Sequence, residues 1–205
     1  MRRRELDRTV ADLLEEHIGL AGKALAVLRR LVEELPEPSG RTEAELARLE
    51  EEGDRLAGEL IGAAAALRRP PAALAGGGAQ LLAQSLDDVV DALAEFGARL
   101  SGYGVEGPLE QALGFLDLLE QAVGALGGAV REVRHGRFPE EALAAVADAE
   151  QAGDRLEREA LASLYVEGID PILALRWTDL LGHLEEALDR CRRAARLLGA
   201  LGPGR

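Results

Sequence analysis

The chain holds a single cysteine, Cys191, and only six aromatic side chains (one Trp, two Tyr, three Phe) in 205 residues. One cysteine excludes an internal disulfide and fits a reducing compartment. With so few aromatics, the core must be built from Leu, Ala and Val, and the lone Trp177 reads as part of that core. Long uncharged runs are scarce too. The longest spans residues 70–86 and contains Pro70-Pro71 and Gly76-Gly77-Gly78, so it reads as a loop plus a helix start and not as a membrane span. Basic charge is in deficit, with 24 Lys and Arg against 37 Asp and Glu and a formal net charge of −13. The Arg pairs Arg29/Arg30, Arg68/Arg69 and Arg192/Arg193 are scattered, which argues against nucleic acid or an anionic membrane surface as partner. The opening Met1-Arg2-Arg3-Arg4-Glu5 is basic but leads into Asp7 and Asp12, so it does not read as a secretion signal. A soluble, cytoplasmic protein is expected. With 47 % hydrophobic residues recurring in register, disorder is excluded for most of the chain.

Proline and glycine divide the chain into six segments of about 25 to 30 residues, each with apolar residues three and four apart, the signature of amphipathic helices. The first spans about residues 5 to 35, with Leu6, Val10, Leu13, Leu20, Ala24, Leu28 and Leu31 on one stripe, and stops at Pro36 and Pro38. Thr42 with Glu45 predicts a capping box for the second, which ends at Pro70-Pro71. The third starts near Ala79 and ends around Gly102 to Gly104. Pro108 opens the fourth and His135-Gly136 closes it; Pro139 opens the fifth; Asp170-Pro171 reads as an N-cap with proline at the first helical position of the sixth. Nothing alternates with period two. The expected fold is all-α, a bundle of antiparallel helices each about 40 Å long.

An internal repeat refines this expectation. The run Glu50-Glu51-Glu52-Gly53-Asp54-Arg55-Leu56 returns as Glu150-Gln151-Ala152-Gly153-Asp154-Arg155-Leu156, and Leu86-Asp87-Asp88-Val89-Val90-Asp91 returns as Leu184-Glu185-Glu186-Ala187-Leu188-Asp189. The chain therefore reads as one domain, residues 1–205, made of two tandem three-helix repeats at about 5–104 and 107–200.

Each matched segment carries carboxylates at i and i+4: Glu50/Asp54, Asp87/Asp91, Glu150/Asp154 and Glu185/Asp189. Like charges so placed share a helix face and destabilise it by about 0.2 to 0.5 kcal/mol per pair. Among 37 acids several such pairs arise by chance, but these four fall at equivalent places of the repeat and lie beside the core stripe. Two readings follow. Converging carboxylates are hard oxygen ligands for cations; alternatively, the acids form a solvated edge with arginine partners. His17, on the apolar stripe of the first helix, reads as a core histidine bonded to a neighbouring helix, and could otherwise be a ligand. His183 is placed away from the Glu185/Asp189 side. Gly76-Gly77-Gly78 lacks the lysine and preceding strand of a phosphate loop, and no nucleophile or nucleotide motif is present. Nothing in these residues argues for an enzyme. A Glu-x-x-His pattern occurs only once, at Glu132/His135, which disfavours di-iron oxidase chemistry.

Two three-helix units bearing these motifs resemble the PhoU-like proteins, most closely the PhoU-related branch of phosphate transport regulators encoded beside Pit-type inorganic phosphate transporters. The resemblance spans residues 5–198 and includes Leu184-Glu185-Glu186-Ala187-Leu188-Asp189-Arg190-Cys191, similar to the family's L-E-x-x-x-D-x-C. It implies a cytoplasmic, non-catalytic regulator acting at the inner face of the membrane through a Pit-type transporter. It further implies a multinuclear iron or zinc site on Glu50, Asp54, Asp87, Asp91, Glu150, Asp154, Glu185 and Asp189. A second copy of the chain is the other partner considered. The chain departs from the family pattern at the acid-free Gly76-Gly77-Gly78 loop and at Ala94 and Arg192, where the family often carries another acid. Arg192 and Arg193, three and four residues beyond Asp189, are placed to neutralise it. A metal-storage bundle and a metal-free helical scaffold are the competing functional readings.

Overall fold

A computed structural model of the chain describes residues 6–36, 40–107 and 109–202. The readings made at Met1 to Glu5, Pro38 and Pro108 lie outside these residues. Among those described are six α-helices and no strand: α1 Arg8–Glu33, α2 Gly40–Ala65, α3 Gly78–Tyr103, α4 Glu110–Arg134, α5 Glu140–Leu164 and α6 Pro171–Leu201, with a short 3₁₀ turn at Ala72–Leu74 between α2 and α3. The all-α expectation holds.

Local chemistry explains most of the boundaries. Asp7 caps α1 by accepting from the backbone N–H of Thr9 at 3.0 Å, and Asp170 caps α6 by accepting from Ile172 N–H at 2.8 Å, with Pro171 where its missing N–H costs nothing. Gly104, Gly136 and Gly168 take positive φ in the connections that follow α3, α4 and α5, a conformation strained for other residues. One expected cap is absent. Thr42 lies inside α2, which already begins at Gly40; its side chain is buried and donates to Glu34 at 3.4 Å, while Glu45 accepts from Arg30 at 2.7 Å. The residues of a capping box are present, but both side chains are turned to α1 and its C-terminal turn.

In packing, α1, α2 and α3 contact one another pairwise, as do α4, α5 and α6, and the two trios meet through α1 with α4 and α3 with α6. Four helices thus form the centre. α2 rests on α1 and α3, and α5 rests on α4 and α6, as outer helices. Arginines tie the trios at both ends of the α1/α4 contact: Arg29 binds Asp117 at 2.6 Å and Glu120 at 2.9 Å, and Arg134 binds Asp12 at 2.8 Å and Glu15 at 3.0 Å. Between α3 and α6, Tyr103 donates to Asp179 at 2.6 Å and Arg190 donates to the Asp88 carbonyl oxygen at 2.7 Å. These bonds set orientation more than stability, since exposed ion pairs contribute at most about 1 kcal/mol. The apolar interior contributes far more. Phe96, Phe115, Leu14, Leu25, Leu28, Leu56 and Leu93 are fully buried within it, and Trp177 is nearly so.

By length and composition α4 is apolar enough to cross a membrane, which a search for uncharged runs does not detect. In the fold, its Phe115, Leu116, Leu119, Leu126 and Val130 are buried in the common core. Cys191 is buried as well, and burial pushes its thiol up to about 12, the behaviour of a packing residue.

Candidate metal centre

The eight sequence-selected carboxylates are sorted by the fold into two quartets on two separate helix pairs. Glu50 and Asp54 of α2 face Asp87 and Asp91 of α3, and Glu150 and Asp154 of α5 face Glu185 and Asp189 of α6; the electrostatic neighbours of Asp91 and Glu185 reflect both groupings. We call these the α2/α3 and α5/α6 seams. Each runs along the junction between an outer helix and a central one. Exposure is uneven: Glu50, Asp54 and Asp189 face solvent, Asp87, Asp91, Asp154 and Glu185 are half-buried, and Glu150 is 8 % exposed. Spacing puts the acids on the helix faces that form the seams, but it does not distinguish a rim position from a covered one.

Crowding raises proton affinity in both seams. Burial first, and then the charges of Asp87, Glu50, Asp54 and Asp88, push the Asp91 carboxyl up to about 6. Burial first, and then Asp189, Glu157, Asp154 and Glu150, push Glu185 up to about 7. A carboxyl held so far above its ordinary value marks a place where a cation is electrostatically welcome. Asp88 and Glu157 belong to these fields and were not selected from sequence. For Glu157 a signal existed, since it follows Asp154 at i+3 on the same face.

Glycine permits the close approach of helices at each seam. A Cβ on Gly53 would come 2.7 Å from Asp87 Oδ1 and 3.8 Å from His17 Nε2, whereas one on Gly153 would overlap Leu188 Cδ1 and lie 3.4 Å from Phe115 Cε1. The two repeats thus place different chemistry at the same spot. Near Gly53 only the mobile tip of Asp87 must yield, and alanine gains about 1 kcal/mol of helix propensity over glycine. Gly153→Ala is therefore expected to cost about 1 to 3 kcal/mol through overpacking, and Gly53→Ala to be close to neutral, with urea unfolding as the measurement. Equal losses in the two variants would contradict the packing described.

His17 is buried, as expected, at 1 % exposed, but the expected hydrogen bond is missing: neither ring nitrogen has a partner among the described residues, and Nε2 lies 3.6 Å from Asp87 Oδ1, itself unpartnered. Arg192 also departs from expectation. It forms an ion pair with Glu150 across the α5/α6 seam, with Asp189 and Asp154 as weaker charge neighbours. His183 lies beside Asp179 at 3.7 Å and lines, with Glu50, Asp91, Glu95, Glu186 and Arg190, a cleft of about 310 Å³ next to the α2/α3 seam. Among the described residues no three His, Cys, Asp or Glu side chains already converge on a common metal position. The unpartnered His17 and Asp87 atoms, the open backbone at Gly53 and the oxygen-rich donor set nonetheless suit a cation in the α2/α3 seam.

Two solved structures superpose on this helix arrangement over nearly its whole length. A protein of Shewanella oneidensis MR-1 described as a PhoU-like phosphate regulatory protein matches with a TM-score of 0.71 at 17 % identity, covering 93 % of this chain and 97 % of its own. A PhoU-like protein of the same organism matches with a TM-score of 0.66 at 16 % identity, covering 96 % and 97 % respectively. The chain has the PhoU-like fold. At this identity the likeness establishes architecture and says nothing of individual side chains. No family model and no curated protein matches the chain. Within the PhoU-like fold, the two seams are where this chain concentrates its buried and crowded carboxylates.

Proposed function

We propose that this protein is a non-catalytic regulator of inorganic phosphate transport, acting from the cytoplasmic side of the membrane by docking on a Pit-type transporter, with its seams able to hold iron or zinc. The observation that carries the reading is the pair of crowded carboxylate quartets, one per three-helix unit, on a fold whose solved neighbours include a protein described as a phosphate regulator. Where metal binds, Glu50, Asp54, Asp87 and Asp91 would hold it in one seam and Glu150, Asp154, Glu185 and Asp189 in the other. The ion would supply positive charge to a strongly anionic surface. The carboxylates orient it, and the buried Leu and Ala behind them keep water from its inner side. A protein of net charge −13 also complements the Lys- and Arg-rich cytoplasmic loops common to membrane transporters.

The reading is tested by elemental analysis of protein purified without chelator, by phosphate uptake with and without the gene, and by capture of the transporter from membranes on the purified bait. Stoichiometric metal, altered uptake and recovery of a phosphate transporter are expected. Unaltered uptake together with no transporter recovered at high or low phosphate overturns the regulatory reading. Only trace metal, unchanged when Asp54→Ala is combined with Asp154→Ala, overturns the metal part.

A further inference from the structure

We infer that the two seams are not equivalent: the α2/α3 seam takes one transition-metal dication with His17 Nε2 as a nitrogen ligand beside Asp87, whereas in the α5/α6 seam Arg192 already engages Glu150 and a phenyl ring stands where the imidazole would be. The inference rests on the metal-binding part of the proposed function and narrows it to one half of the molecule.

His17 supplies the evidence that the acids alone do not. A histidine ring 1 % exposed with neither nitrogen hydrogen-bonded among the described residues carries a desolvation cost of about 1 to 3 kcal/mol for each unsatisfied group, and buried polar groups as a rule have partners. Its Nε2 is 3.6 Å from Asp87 Oδ1, another buried atom with no hydrogen bond among the described residues. That gap is too long for a good hydrogen bond. It is the separation of two ligands on one cation whose bonds are about 2.1 Å long. Gly53 leaves the facing side open, since a Cβ there would stand 2.7 Å from the Asp87 oxygen and 3.8 Å from the His17 nitrogen. Asp54 follows Gly53 directly and Asp91 lies one turn beyond Asp87, and the charges of Asp54, Asp87 and Asp91 act on one another, so these are the nearest further carboxylates. A solvent-open cleft lined by Glu50 and Asp91 adjoins the seam. Arg190 lines that cleft but donates to the Asp88 carbonyl oxygen and to Glu186, which leaves the quartet without a paired cation among the described residues. A mixed imidazole and carboxylate set suits zinc or ferrous iron better than calcium or magnesium.

The second half provides the contrast. Phe115 stands with Leu188 beside Gly153, where His17 stands with Asp87 and Leu20 beside Gly53. A phenyl ring offers no ligand. Arg192, at the repeat position held by Ala94 in the first half, places its guanidinium on Glu150. A fixed positive charge therefore already occupies the α5/α6 seam.

The test is titration of chelator-treated protein with Zn²⁺ alone, read by calorimetry and by the NMR signals of the three histidines. One Zn²⁺ per chain is expected, with the His17 imidazole resonances shifting in step with occupancy. His17→Phe, which copies the second repeat, is expected to lower affinity by at least about tenfold, the lower end of what even an outer-shell partner is worth, while metal-free thermal stability is kept or raised. His135→Phe, in the connection after α4 and outside both seams, should leave binding unchanged, and Arg192→Ala should create a second, weaker site. Zinc bound with the same affinity after His17→Phe, or two equal sites in the wild type, overturns the inference while leaving metal binding intact. No zinc bound to the wild type overturns both.

Discussion

Truncation of Phe115 to alanine is expected to lower the unfolding free energy by about 3 to 5 kcal/mol, the usual cost of removing a fully buried ring from a core that cannot collapse around the cavity. Phe115 has no exposed surface. It lies against the glycine at which α5 comes close to its neighbours, and a Cβ on Gly153 would already meet its ring at 3.4 Å. Neighbouring backbone so placed cannot move in without disturbing Leu188, which sits at the same spot. Total stability of a domain this size is of order 10 kcal/mol, so the variant should show a much lower denaturant midpoint. Tyr165→Ala serves as the control, because that ring is 63 % exposed and surface truncations usually stay within about 0.5 kcal/mol. A Phe115→Ala loss below about 1 kcal/mol would refute the burial described.

The metal-free protein should be more stable near pH 5.5 than near pH 8, opposite to the usual behaviour of acids held in ion pairs. In the folded state Asp91 titrates at about 6 and Glu185 at about 7, against about 4 for each in an unfolded chain. The folded state therefore holds these protons more tightly. Their contribution is fully present below the unfolded values and is lost as pH rises through 6 and 7. The ceiling, about 1.4 kcal/mol for each tenfold gain in proton affinity, is reduced by solvent at the open edge of each seam, leaving roughly 1 kcal/mol per group. Glu132, Asp179 and Glu186 titrate below their ordinary values because arginine or tyrosine donors hold them charged, so their effect begins only at more acidic pH. Urea midpoints of chelator-treated protein at the two pH values measure the difference. Asp91→Asn combined with Glu185→Gln should flatten the dependence and raise stability at pH 8. A midpoint that falls between pH 8 and pH 5.5 would contradict the crowding at both seams.

If the proposed site takes zinc, metal and pH are linked by the same repulsion. A dication in the α2/α3 seam relieves the charge that otherwise draws a proton to Asp91, so zinc should release protons on binding and stabilise most at the pH where the free protein is weakest. Both effects disappear together if the carboxylates are solvated separately.

Helix number, helix order and most helix ends were legible in the sequence, because proline, glycine and capping residues act within a few positions of where they stand. Asp170 with Pro171, Pro139 and His135-Gly136 lie where the structure places the ends of α4, α5 and α6. The i,i+4 carboxylates were legible for the same reason, since one helical turn fixes which side chains share a face. Local pattern misled at Thr42, whose partner is Glu34 across the α1–α2 connection and not a residue of its own first turn. Only the tertiary structure decided that the eight acids separate into two seams, that Glu150 is covered while Glu50 is exposed, and that Arg192 reaches across to Glu150 instead of to its own helix. It alone also placed His17 against Asp87, across the gap left by Gly53. These contacts join residues up to 70 positions apart. Periodicity determines which face of a helix a residue occupies, but the rotation and approach of the helix on its neighbours come from packing of the whole core, and no window of sequence contains that.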